Sequence, residues 1–65
     1  MTLEELADLA YRNGYDIFVL ADGFEWEINL VPFDAEFRTD RPAGWLHTTD
    51  CTLSSAIDTV AGNLQ

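Results

Sequence analysis

An Asp22-Gly23 pair stands between two runs in which apolar and polar residues alternate, "YDIFVLA" (15–21) and "FEWEINLV" (24–31). Asp-Gly is a favoured pair for two-residue type I′ turns, whose central residues both take positive φ. The pattern therefore predicts an antiparallel hairpin closed at Asp22-Gly23. In that register Ala21 faces Phe24, Val19 faces Trp26, Ile17 faces Ile28 and Tyr15 faces Leu30. Each member is apolar, so this side turns to the core. The other side pairs Leu20 with Glu25, Phe18 with Glu27 and Asp16 with Asn29, half acid and half apolar. Pro32 ends the second strand or bends it at an edge. Residues 33–38, "FDAEFR", alternate again and predict a third strand, with Asp34, Glu36 and Arg38 on its polar side. "TDRPAG" reads as a turn, and "WLHTT" (45–49) as a fourth short strand or an extended loop.

Helices flank the hairpin. Thr2 with Glu5 three residues on has the form of a capping box. Leu3, Leu6, Leu9 and Ala10 recur at helical spacing with Ala7 in the stripe, and Asn13-Gly14 supplies a left-handed stop. Glu4, Glu5 and Asp8 sit near the positive end of the helix dipole. A second stripe, Leu53, Ala56, Ile57, Val60, Ala61 and Leu64, follows Thr52, the favoured N-cap, with Asp50 as the alternative. Gly62-Asn63 is expected to fray its end. Two one-sided helices need one apolar sheet face. The expected fold is α+β: helix, three- or four-stranded antiparallel sheet, helix, with both helices on one face and the other face open to solvent. At 65 residues this is a single domain, 1–65, able to bury only about 60% of its unfolded surface. An apolar fraction of 48% separates it from acidic disordered tails.

Charge narrows the partners. Twelve Asp and Glu oppose three arginines, Arg12, Arg38 and Arg41, with no lysine, for a net charge of −9. Nucleic acid and anionic membranes need cations opposite their phosphates, so neither is expected as a direct partner. A basic protein surface is suited to it, including one whose own ligand is nucleic acid. The single cysteine, Cys51, forms no intrachain disulfide, and the acidic amphipathic start is neither a signal peptide nor a membrane span. The expectation is a complete cytoplasmic protein.

The candidate partner-binding residues are Asp16, Phe18, Leu20, Asp22, Glu25, Glu27, Asp34, Glu36 and Asp40. Alternate strand residues lie about 6.8 Å apart, so these acids are expected to form rows of negative charge around two apolar anchors, Phe18 and Leu20. Like charges on neighbouring strand positions destabilise a sheet, which argues for a binding role over solubility alone. No catalytic residue, metal site or cofactor is expected. "DGFEWE" lacks the turn-rich ligand spacing of a calcium loop. His47 and Cys51 fall short of the three or four ligands zinc takes, and as a dyad they have no orienting third group placed by a motif. They are expected to be a partly exposed histidine and a small buried cysteine.

The helix–strands–helix order resembles the double-stranded RNA-binding domain. The second helix here opens "TLSSAID", without a cation to reach phosphate, so that likeness implies topology and not RNA binding. With "DGFEWE" and "FDAEFRTD" as acid rows, the chain also resembles the small phage and mobile-element inhibitors of the anti-CRISPR, DNA-mimic type. That resemblance implies a non-catalytic inhibitor acting in a host bacterial cytosol. It would occupy the basic, nucleic-acid-binding surface of a CRISPR effector complex or another DNA-binding host protein. The alternative is a structural or regulatory module that forms a homodimer through an edge strand or the Phe18 and Leu20 patch.

Overall fold

The computed structural model describes residues 1–33 and 45–64. Their elements are α1 (Leu3–Arg12), β1 (Tyr15–Ala21), β2 (Trp26–Pro32), β3 (Leu46–Asp50) and α2 (Leu53–Leu64). The start of α1 is held by the expected box: the Glu5 N–H donates to Thr2 Oγ1 at 3.1 Å, and the Thr2 N–H donates to Glu5 Oε1 at 2.8 Å. Its end is closed by Asn13, whose N–H donates to Ala10 O at 3.0 Å and whose side-chain amide donates to Leu9 O at 2.8 Å. Gly14 follows at φ +85°, where a Cβ would be strained, and turns the chain into β1. Thr52 caps α2, its Oγ1 accepting the Ser55 N–H at 3.1 Å. The carboxylate of Asp50 accepts the Cys51 N–H instead. The helix runs through Gly62 and Asn63 to Leu64, so the expected fraying there is corrected.

The three strands form one antiparallel sheet in the order β1-β2-β3. Of the two readings open for 45–49, a short strand or an extended loop, the strand holds: β3 pairs with β2 from Trp26↔Asp50 to Leu30↔Leu46. Of the strand foreseen at 33–38, only Phe33 is among the described residues. It lies in a turn, where its N–H donates to Gly14 O at 3.0 Å.

The hairpin register is the main correction. Ala21 pairs with Trp26, Val19 with Ile28, Ile17 with Leu30 and Tyr15 with Pro32. The strands are thus joined by the four residues Asp22 to Glu25, not by Asp22-Gly23 alone. Three backbone N–H groups in this loop find acceptors within it. Those of Phe24 and Glu25 donate to Asp22 Oδ1 at 2.9 and 2.8 Å, and that of Asp22 donates to Glu25 O at 3.2 Å. Gly23 supplies the positive φ, +96°. A two-residue turn offers the Asp22 side chain no such pair of donors, and this local capping accounts for the wider loop.

Both helices lie on the face carrying Ile28 and Leu30. Leu6, Ile28, Leu30 and Val60 are fully buried there, with Ala10, Ala56, Ile57 and Ala61 between them. Burying each of the four large side chains contributes about 1.5–3 kcal/mol. Tyr15, Ile17, Val19, Leu46, Leu53 and Leu64 seal the margin. Outside this core Tyr11 meets Phe33 edge-on, with ring centroids 5.3 Å apart.

Candidate functional site

The hairpin β1–β2 carries every candidate residue the structure describes. On β1, Asp16, Phe18 and Leu20 alternate with the core residues and are exposed, Phe18 by 42% and Leu20 by 57%. Across the ladder they meet Val31, Asn29 and Glu27 respectively. Asp22 and Glu25 belong to the exposed loop and not to a strand, which breaks the acid row that the two-residue turn would have made. Asp34, Glu36 and Asp40 lie outside the described residues.

The acids differ in what holds them. Asp22 is tied to its own loop, and the hydrogen bonds from the Phe24 and Glu25 N–H groups hold its carboxyl below the ordinary range. Glu27 sits in a chain of polar contacts on the sheet face away from the helices. There the Trp45 Nε1–H donates to Asn29 Oδ1 at 3.0 Å, and the Asn29 amide donates to Glu27 Oε2 at 3.1 Å. His47 Nε2 stands 3.2 Å from the same oxygen, and the Trp45 and His47 rings meet edge-on at 6.2 Å. Asn29 is 3% exposed, and this chain satisfies its amide on both sides. Asp16 and Glu25 are exposed acids that carry neither role.

This face is not uniformly open, as the one-sided packing of the helices had implied. Val31 and Asn29 are each 3% exposed although they point away from the helices, whereas Phe18 and Leu20 on the neighbouring strand are exposed. The face is therefore closed at Asn29 and Val31, half-open at Glu27 and accessible along β1.

His47 and Cys51 do not act together. His47 faces Glu27, and Cys51 is exposed in the turn between β3 and α2, contrary to the expectation of a buried thiol. Among the described residues no group of three or more His, Cys, Asp or Glu is placed to hold a metal ion. No helix among them is long and apolar enough to cross a membrane. Arg12, the only arginine among the described residues, pairs with Asp8 on α1.

Sequence reasoning missed two features. The Trp45–Asn29–Glu27–His47 chain follows from a strand over 45–49, since Trp45 and His47 then share a face, but it also needs the pairing of Asn29 with His47. Phe24 was assigned to the core face, yet it is 88% exposed at the loop. No protein-family model, curated protein or solved structure matches the chain, so the site stands on its own geometry.

Proposed function

We propose that the chain is a non-catalytic inhibitor that binds a basic, nucleic-acid-binding surface of a protein complex, in the manner of the DNA-mimicking anti-CRISPR proteins it resembles. The observation that carries this reading is the charge of the hairpin. Residues 15–32 contain Asp16, Asp22, Glu25 and Glu27 with no arginine or lysine, within a chain of net charge −9. Asp16 and Glu25 are exposed and their carboxylates do not hold the loop, so they are accessible to the guanidinium and ammonium groups that otherwise grip phosphate, while Asp22 adds its charge beside them. The exposed Leu20 beside them adds apolar contact that a solubilising surface does not require.

Inhibition is competitive and takes place in the cytosol of a bacterial host. The carboxylates occupy cationic positions that DNA needs, and attraction between opposite charges speeds the encounter at low salt. The test uses purified CRISPR effector ribonucleoproteins and other bacterial DNA-binding proteins, each with a fluorescent target duplex. The wild-type chain is expected to displace the duplex from at least one of them. The Asp16→Asn, Glu25→Gln double variant is expected to be at least tenfold weaker with its thermal melt preserved. Retention of the duplex by every protein in excess inhibitor would falsify the reading. A dimer by sedimentation whose affinity is indifferent to salt would favour the homodimer alternative.

A further inference from the structure

The wider loop moves Phe24 out of the sheet and onto the tip of the hairpin. It is 88% exposed, more than any other large apolar side chain among the described residues. Its backbone is nevertheless fixed, with the Phe24 N–H held by Asp22 Oδ1 at 2.9 Å, the next N–H held by the same oxygen, and Gly23 setting the turn. An aromatic side chain with few rotatable bonds on a fixed backbone loses little freedom on binding, which is the character of an interface hot spot. Asp22 and Glu25 flank it, and Leu20, 57% exposed, lies on the strand leading to it.

From this arrangement we infer that Phe24 is the anchor of the interaction, entering an apolar pocket of the partner whose rim carries arginine or lysine. The inference rests on the proposed reading for the sign of the partner's charge and adds the residue that docks and the shape of its receptor. Charge complementarity selects the occupant. The ring has Glu25 next to it and Asp22 two residues before it in the chain, and the hairpin has no cation to meet an acidic rim. A second copy of the chain would bring the same acids and a further net charge of −9, so it is disfavoured as the receptor. In this arrangement Asp22 is a positioning residue whose carboxylate holds the loop, while Glu25 is the acid left to meet the rim.

The experiment places the photocrosslinking residue p-benzoylphenylalanine at position 24 of the full chain, with the same residue at Asp58, exposed on α2, as the control site. Each protein is irradiated in a bacterial lysate at low ionic strength. Adducts are identified by mass spectrometry, and the identified protein is then purified and titrated with wild type and Phe24→Ala. The expected result is an adduct specific to position 24 with a protein whose affinity falls about thirtyfold in Phe24→Ala, the loss of a hot spot worth about 2 kcal/mol. Because the ring lies outside the core, Phe24→Ala is expected to melt like wild type. Phe24→Leu is expected to retain part of the affinity, as a pocket that reads apolar bulk requires.

Adducts no richer at 24 than at 58, adducts only with a second copy, or an affinity within twofold of wild type in Phe24→Ala would each overturn the anchor. The two proposals fail separately. A partner held through Phe24 whose DNA binding is untouched by the wild-type chain keeps the anchor and removes DNA mimicry. An effector displaced from DNA equally well by wild type and Phe24→Ala keeps mimicry and removes the anchor.

Discussion

At the hairpin tip the Asp22 carboxylate accepts hydrogen bonds from the N–H groups of Phe24 and Glu25, and these hold its carboxyl below the ordinary value of 3.8. Glu5 is lowered in the same way, chiefly by the Thr2 N–H it accepts in the capping box. Both groups bind protons less readily folded than unfolded. Their contributions are therefore fully present above the unfolded pKa and disappear as pH falls through the lowered folded value. Asp22→Asn keeps a side-chain oxygen for the loop but does not titrate, and it also removes one negative charge, whose repulsion from the neighbouring acids is screened by running both proteins at about 0.5 M salt. The melting temperature of wild type minus that of Asp22→Asn is expected to be flat from neutral pH down to about pH 5 and then to fall as Asp22 protonates. Circular dichroism melts of the two proteins across that range check it. A difference that stays level through the acid limb would mean that the loop hydrogen bonds do not distinguish the ionised carboxylate.

Among the elements, α2 continues through Gly62 although glycine is a poor helix former. Gly62 has no positive φ, and a Cβ there would meet nothing within 4 Å. Gly62→Ala is therefore expected to stabilise the domain by about 0.5–1 kcal/mol, by restricting the unfolded chain without a new clash. A urea midpoint unchanged or lowered in that variant would show that the last turn is not helical in solution. The persistence of this helix also shows what local signals miss, because Val60, Ala61 and Leu64 pack on the core and override the glycine. The hairpin teaches a complementary lesson. A slip of one residue would have turned every side chain over, so alternation was enough to assign the faces of β1 and β2. The two-residue and four-residue loops differ by a change of two in register, which preserves those faces, so alternation has no means of choosing between them. The choice depends on how the Asp22 carboxylate satisfies its neighbours' N–H groups. For that reason the core was legible while the positions of Phe24 and Glu25, which matter most at the candidate site, were not. The pairing of His47 with Glu27 was similarly hidden, since it requires β3 to be set beside β2 in one particular register, which alternation alone does not select.

For the molecule as a whole, the charge of −9 acts on folding and on binding with opposite dependence on salt. Within the folded domain the acids repel one another, because among the described residues only Asp8 has an arginine partner and Glu27 a histidine one. Raising ionic strength from about 10 mM to about 0.1 M shortens the screening length from about 30 to about 10 Å, which relieves that repulsion. The melting temperature is expected to rise by a few degrees over this range. Attraction to a basic partner is screened by the same ions, so affinity for that partner is expected to fall, mainly through slower association. These opposed trends separate an interface effect from a folding effect, since a protein that grows more stable cannot be losing its partner by unfolding. Calorimetric melts and association rates measured in the same buffer series provide the check. A melting temperature that falls as salt is added would mean that the acids are held in favourable pairs and are not available to a partner. An association rate indifferent to salt would place the contact away from the acidic hairpin.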